Sequence, residues 1–589
     1  MGIIAFDLQR HLEDRVTAIG RDRCGFGENF QAQVQPAEAR FGDFQVNGVL
    51  PYGKVCHKNP RALAQQLLEA TERDAGLSGA LARLEVAGAG FVNLTLSEFA
   101  VNSWLQTYAS AAALRGAADS WAGRRVVVDY AGPNSAKQMH VGHLRSLVIG
   151  DALQRILAFC GATVVRDNHI GDWGTQFGIL LRQIRVEGID LDAISAEDSL
   201  ELLENLYRRG VVASQTSPEV LGEARAELAA LQGNDKERRR LWERINALSY
   251  ASFQEIYDLA AVKFDVVLGE SFYRDMVERV YGELLECGIA RKDGGALVVF
   301  HPEHGCFCRQ PFLIRKSDGA SNYASTDLAT VLYRVEHFAA DDIIYVTDAR
   351  QRDHFEQLFL TVEKWFRAKN YPLPRLRHVW FGTVCGEDGK AIKTRSGEPV
   401  RLKGLFDGAI GRALAALDAK DWEFDGVTRR EIARVVGVGA LKYGDLSQNR
   451  SSDYVFSLEK MLSLEGNTSP YLQYAVARIH AIFRRVPAEA AGWRDYRDLS
   501  PRTPEESTLV RRLVQFPIAL RQTVEDLRPH LLCGYLYALA GDFSTFYGSN
   551  RIFDGDPAAV ARRLVFCDRT LLFLETGLHL LGIETLERM

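Results

Sequence analysis

The stretch Ala136-Lys137-Gln138-Met139-His140-Val141-Gly142-His143, set between an apolar strand and a helical pattern, constrains this chain more than any other segment. Val126-Val127-Val128-Asp129-Tyr130 reads as a strand buried in a parallel sheet, and Ala131 to Met139 as a loop punctuated by Gly132-Pro133. From Leu144 to Leu157 apolar residues recur at helical spacing. Strand, loop and helix in that order make the first half of a nucleotide-binding α/β fold. A helix start leaves backbone N–H groups unpaired and carries partial positive charge, so it favours an anion. Two histidines on the first turn, with Gly142 between them to let a flat base approach, suit a nucleoside triphosphate. A pair of surface histidines beside a helix cap is the plainer alternative, and the turn alone does not separate the two.

At 589 residues the chain is too long for one core and implies three to five domains. An apolar content of 47% with 25% charged residues is that of a globular protein, and no apolar run reaches the ~18 residues a membrane span needs. Met1 to Asp7 lacks a basic stretch followed by an apolar core, so no signal peptide is expected, and Phe6 argues against myristoylation at Gly2. Nine scattered cysteines fit free thiols in a reducing compartment, and the expected location is cytoplasmic. A net charge of −5 carries no global nucleic-acid signature, so any basic surface must be local. Arg429, Arg430, Arg434, Arg478, Arg484, Arg485, Arg511, Arg512, Arg521 and Arg528 are the candidates for one.

The patterning divides the chain into an N-terminal α+β module over 1–118 and a Rossmann-like parallel-sheet domain over 119–400. A helical insertion, rich in Glu, Arg, Leu and Ala, interrupts that domain at about 185–265. A connecting segment follows over 401–455, and amphipathic helices then fill 456–589 as an all-α bundle. His301, His304, Cys306 and Cys308 have side chains that bind zinc, but their spacing is tighter than structural zinc sites use, and no metal is expected there.

Further motifs extend the first one. Asp129-Tyr130-Ala131-Gly132-Pro133-Asn134 precedes the histidine turn, and Asp167-Asn168-His169-Ile170-Gly171-Asp172-Trp173-Gly174 follows it. Tyr323, Gln351, Lys393-Thr394-Arg395, Glu465-Gly466-Asn467-Thr468 and the closing Leu-Gly-Ile-Glu stretch come later. In this order, over nearly the whole chain, they resemble the arginyl-tRNA synthetases, with the class I "HIGH" signature as His140-Val141-Gly142-His143.

The resemblance implies ATP-dependent activation of arginine, with Mg2+ arriving on the ATP, and transfer to tRNA(Arg) by a monomer whose C-terminal helices read the anticodon. It places His140 and His143 as cationic groups at the triphosphate, with Gly142, Lys393 and Arg395 also at ATP. The lysine loop departs from the class pattern, because Thr394 stands where the second, catalytic lysine belongs. Lys137, three residues before His140, is expected to supply that charge. Asp327 and Tyr323, four residues apart and so on one helix face, are expected to grip the guanidinium, with Asp129 as a second acid. Asn134 and Gln351 resemble residues that hold the α-amino end, while Gly132 stands where some members carry serine.

For tRNA the resemblance offers Phe44, Gln45 and Asn47 in the N-terminal module, and Tyr471, Arg478, Tyr547 and Met589 in the bundle. Packing in a module core is an equally good reading of Phe44. Gly548-Ser549-Asn550 departs from the usual Asn-x-Cys. Other readings are a nucleotidyltransferase, a non-catalytic tRNA-binding paralogue, and a duplicate synthetase serving resistance or a non-ribosomal acceptor. The first lacks a use for the C-terminal helices or for Tyr323 and Asp327. The second is disfavoured by the intact histidines and Lys137.

Overall fold

A computed structural model describes residues 5–194, 196–393, 399–419 and 424–589. The chain forms two compact units, one spanning Trp121–Leu462 and the other combining Met1–Ser120 with Ser463–Met589.

The first unit is built on five strands: β1 (Arg125–Asp129), β2 (Thr163–Asn168), β3 (Val266–Val267), β4 (Asp342–Tyr345) and β5 (Arg375–His378). All pair in parallel, in the order β5-β4-β1-β2-β3. The order reverses between β1 and β4, and a doubly wound sheet of this kind opens a ligand crevice there, outside the carboxyl ends of its strands. Val126, Val127 and Val128 are fully buried, as a strand covered on both faces requires. Helix α1 (Val141–Phe159) lies close on β1. Gly150 permits this approach, since a Cβ there would come within 2.3 Å of Tyr130.

Two ties set the carboxyl edge of the sheet. Asp129 stands in register with Asp167 of β2 and Tyr345 of β4. The fully buried Arg334 reaches between the two acids, donating from Nη2 to Asp129 Oδ2 at 2.6 Å and to Asp167 Oδ2 at 2.8 Å. The second tie is Ser146 of α1, whose Oγ accepts from Ala131 N at 2.9 Å and donates to Val346 O at 2.6 Å, joining the exits of β1 and β4. The loop from β1 to α1 holds Ala131 and Ala136 at φ 71° and 64°. Left-handed alanines cost of order 1 kcal/mol each and persist only where surrounding bonds fix them. Ser249 does so for Ala136, accepting its N–H at 2.9 Å.

Between β2 and β3 run α2 (Thr175–Glu187), α3 (Ala196–Thr216), α4 (Pro218–Gln232) and α5 (Lys236–Leu259). Arg and Glu residues pair across these helices, Arg182–Glu223 and Arg185–Glu227 at 2.7 Å and Arg238–Glu227 at 2.9 Å. After β3 come the short α6 (Glu270–Tyr273), α7 (Tyr323–Phe338), which carries Arg334, and α8 (Arg352–Lys369). The segment read as a connection contributes the helix Leu402–Asp418 and α9 (Gly426–Leu446), which pack on each other. It belongs to the core of this unit: buried Arg145 of α1 pairs with Asp445 of α9 at 3.1 Å and donates to Gly382 O at 2.9 Å and Ser452 O at 3.0 Å.

The second unit joins the two ends of the chain. A four-stranded antiparallel sheet, drawn from 34–96 and backed by helices Leu8–Asp22 and Pro60–Glu72, packs with the C-terminal helices. Buried Trp104 stacks on Phe573 with centroids 5.9 Å apart. Arg511 pairs with Asp43 at 2.8 Å and Arg521 with Asp7 at 2.7 Å. Five of the ten arginines offered as a basic surface are engaged in ion pairs: these two bind the N-terminal module, Arg512 pairs with Asp542, Arg429 with Asp418 and Arg434 with Glu431. Phe44 is corrected as a tRNA contact, because at 1% exposure it packs inside the module.

Arg334→Met strands two buried carboxyls without their cation and should lower stability by about 3–5 kcal/mol at pH 7. Burial already raises the pKa of Asp129, and a raised carboxyl costs stability only above its unfolded value, so the deficit should shrink as pH falls toward about 4. Urea unfolding followed by tryptophan fluorescence measures it, and wild-type stability at pH 7 would contradict this account.

Candidate active site

The histidine turn is a reciprocal helix cap. His140, the N-cap of α1, accepts Gly142 N at Nδ1 over 3.0 Å, and His143 Nδ1 accepts His140 N over 3.1 Å. The N–H of His143 goes to His140 O and that of Val141 to Val400 O, both at 2.8 Å. The helix start therefore does not offer these N–H groups to a phosphate, contrary to the expectation. What it offers is side-chain N–H: an imidazole accepting at Nδ1 carries its proton on Nε2 when neutral. Burial, reinforced by His140 and Lys137, pushes the His143 pKa down to about 3, and burial with Arg350 and Lys137 lowers that of His140. The two rings are neutral donors, not the cations expected of them. The structure gives Gly142 a reason of its own, since a Cβ there would lie 2.8 Å from His140 Cε1 and displace the capping ring.

Positive charge comes from beside the turn. Lys137 is half-buried, with Nζ 5.1 Å from the Tyr207 ring centroid. The lysine loop leaves β6 (Val384–Cys385) through a turn in which Gly386 N donates to Lys390 O at 2.8 Å. Exposed Lys393 forms a β-bridge with Pro399; Thr394 and Arg395 lie outside the described residues. The returning strand is stitched to the histidine turn by the His140–Arg401 bridge and by Leu402 N donating to Met139 O at 2.9 Å.

The acid set forms around α7. Tyr323, its first residue, is 64% exposed, and Asp327 follows one turn later, as their spacing predicts. His354 of α8 places Nε2 2.6 Å from Asp327 Oδ2. Glu270, first residue of α6, is 9% exposed, and among the described residues its carboxyl has no hydrogen-bond or ion-pair partner. Burial, then the charges of Asp327 and Asp172, push its pKa up to about 9. Buried Asp172 fixes α6 by accepting Ser271 N at 2.8 Å and Ser271 Oγ at 2.6 Å. Asp129, expected as a second free acid, is instead the counter-ion of Arg334.

Asn134 is exposed and paired in parallel with Gly171, whose Cβ would come 2.2 Å from Asn134 Oδ1 were it alanine. Gln351 is exposed at the start of α8, its N–H donating to Asp348 O at 3.0 Å. Glu270 and His354 are absent from the sequence reading, and Asp172 enters it only inside the motif Asp167–Gly174, with no role of its own. His354 follows Gln351 by three residues, a helical offset that could have drawn attention to it; Glu270 has no local signal.

In the other unit, α10 (Ser469–Phe483) and α11 (His530–Ser549) gather four tyrosines. Tyr471 meets Tyr537 edge-on at 5.7 Å, and the Arg478 guanidinium lies 4.8 Å from the Tyr474 ring centroid and 5.6 Å from that of Tyr547. Tyr474, Tyr537 and Tyr547 are exposed. The chain end carrying Met589 is fastened to α10 by Gln473 donating to Glu584 O at 2.8 Å and Arg484 to Glu587 O at 3.1 Å. In the N-terminal module Gln45 donates to Asn93 Oδ1 at 2.7 Å, and Asn47 Oδ1 is buried without a partner. His301 is buried against Thr361 and Lys364 while His304 faces Glu356, and among the described residues no three His, Cys, Asp or Glu side chains stand together to hold a metal.

A doubly wound sheet with a histidine-capped turn at its switch point, acids on the neighbouring helix and a second unit that carries a C-terminal helical bundle define a class I aminoacyl-tRNA synthetase. Residues 110–458 match the family model for tRNA synthetases class I (R), catalytic domain; residues 7–96 match the arginyl tRNA synthetase N terminal domain, and residues 472–589 the DALR anticodon binding domain. The arginine–tRNA ligase of Laribacter hongkongensis is 41% identical over 95% of this chain and 96% of its own, and that of Marinomonas sp. is 39% identical over 99% and 100%. The crystal structure of the Plasmodium falciparum arginyl-tRNA synthetase superposes with a TM-score of 0.83 at 26% identity over 100% of both chains. The Thermus thermophilus arginyl-tRNA synthetase shares the fold, with a TM-score of 0.81 at 24% identity over 99% of this chain and 100% of that one. The chain belongs to the arginyl-tRNA synthetase family, the class I arginine–tRNA ligases.

The cap makes a spectroscopic prediction. Histidine-selective 15N NMR should find the His143 ring neutral and Nε2-protonated from pH 8 down to pH 5. An imidazolium signal for His143 above pH 5 would contradict the assignment.

Proposed function

We propose that the chain activates L-arginine with ATP and transfers it to tRNA(Arg), and that Asp327, Glu270 and Tyr323 form the seat for the arginine guanidinium. The observation that carries this reading is a mostly buried acid, Glu270, left without a cation beside Asp327. A guanidinium is planar, permanently charged and presents a fork of donors that two carboxyls can accept, whereas a lysine ammonium leaves acceptors unmatched. Exposed Asn134 and Gln351 are suited to the α-amino and carboxyl end.

At the triphosphate we assign His140 and His143 the role of neutral Nε2–H donors beside Gly142, and Lys137 the positive charge that Thr394 lacks, with Lys393 and Arg395 as further ATP contacts. Activation asks for positioning and charge stabilisation and no protein nucleophile, which this donor set fits. We read magnesium as arriving on the phosphates of ATP, whose charge it would neutralise when bound. Among the described residues no helix is long and apolar enough to cross a membrane; we read the enzyme as cytoplasmic and as a monomer.

For tRNA we propose that the tyrosines around Arg478 stack unpaired anticodon-loop bases, with Tyr471, Tyr547 and the chain end at Met589 in that surface and Gln45 and Asn47 as contacts in the N-terminal module.

Charging assays with all twenty amino acids test the activity, and preference for any but arginine would overturn it. Asp327→Asn should weaken arginine binding by about 1.5–3 kcal/mol while leaving the KM for ATP unchanged. An unchanged arginine KM would remove Asp327 from the seat. Stacking contributes about 1–3 kcal/mol per base, so Tyr547→Ala should raise the KM for tRNA by about one to two orders of magnitude and leave that for arginine alone. A normal tRNA KM would put the anticodon elsewhere.

A further inference from the structure

The guanidinium seat is one cation short in a specific way. Its two acids are not equivalent, because Asp327 Oδ2 already has His354 Nε2 at 2.6 Å. Glu270 sits on α6, which packs against α7 and sets Phe272 5.1 Å from the Tyr333 ring. The groups facing this corner come from several elements. Tyr323 and Asp327 lie on α7, and His354 on α8. Asp172 follows β2, held by Ser271 and by Tyr250 of α5. Tyr207 of α3 acts on Tyr323, Tyr345 at the end of β4 feels Asp327, and His378 on β5 feels His354 and Arg352. The charges acting on Glu270 itself are those of Asp327 and Asp172, both negative.

We propose that arginine enters this seat in exchange for a proton, Glu270 giving up its own as the guanidinium arrives because His354 has already countered Asp327. The Glu270 O–H bond breaks, its electron pair stays on the carboxylate, the proton passes to solvent, and the carboxylate accepts a guanidinium N–H. This rests on the arginine reading of the seat and adds to it a linkage between substrate and pH.

Two further facts agree with the exchange. With a pKa of about 9, Glu270 keeps its proton at neutral pH while the seat is empty. His354 is desolvated, yet the hydrogen bond and charge of Asp327 outweigh that and raise its pKa, favouring the imidazolium.

The test is calorimetric titration of L-arginine into the full-length protein at pH 7 and pH 8, in phosphate and in Tris, whose ionisation enthalpies differ. The expected result is close to one proton released per arginine bound, with the apparent Kd falling about tenfold per pH unit. Glu270→Gln should abolish both the release and the pH slope. His354→Gln, which can still donate to Asp327 but cannot carry charge, should bind arginine with reduced release, an effect that loss of shape alone would not produce. Binding by the wild type with buffer-independent heat, or release persisting in Glu270→Gln, would overturn the exchange while leaving the seat in place. Failure of the wild type to bind arginine in either the presence or absence of tRNA would overturn the seat and the exchange together.

Discussion

One buried guanidinium organises the catalytic unit. Arg334 spans the ends of β1 and β2, and without it Asp129 and Asp167 would be like charges side by side in a dry sheet edge. Their pairing fixes where β1 stops, hence where the strained loop through Ala131 and Ala136 begins, and hence where the histidine cap of α1 stands. The same residue belongs to α7, whose first turn presents Tyr323 and Asp327. The histidine turn and the acid cluster are thus referred to one internal ion pair, with Ser146 as the second link across the crevice.

The charges around the crevice divide by burial. The histidines, expected to be cations, are held neutral and tied to backbone N–H groups, so they orient without adding charge. Lys137, half-buried over Tyr207, remains the positive group beside them. On the acid side burial works in the opposite sense, keeping a proton on Glu270 while Asp327 stays engaged with His354. A site of this kind stores its charge as unmade pairs, ready for a ligand that brings the missing partner.

What could be read directly from the chain were features with local causes. Strand β1, the loop with Gly132-Pro133 and the amphipathic start of α1 follow from periodicity and punctuation, and Tyr323 and Asp327 share a face because helices repeat every 3.6 residues. Features decided by long-range pairing were misread or missed. Asp129 looks like a free acid until Arg334, 205 positions away, is seen to claim it. Phe44 looks like a base contact until its burial is known. Glu270 carries no local mark, since its importance comes from α6 being seated against α7 by Asp172. Arg511 and Arg521 looked like a nucleic-acid surface because Asp43 and Asp7 lie more than 460 positions away.

That last pairing has a consequence for ionic strength. Binding through phosphates weakens steeply with salt, because each neutralised phosphate releases condensed counterions. Arg511, Arg512 and Arg521 are committed to aspartates inside their own unit, while Arg478 lies against the faces of Tyr474 and Tyr547. An aromatic surface of that composition holds an RNA base by excluding water from two flat rings, an attraction that dissolved ions screen little. On the tRNA role proposed for these tyrosines, an acidic chain would keep a nucleic-acid surface without the wide basic field that would also hold every other polyanion in solution.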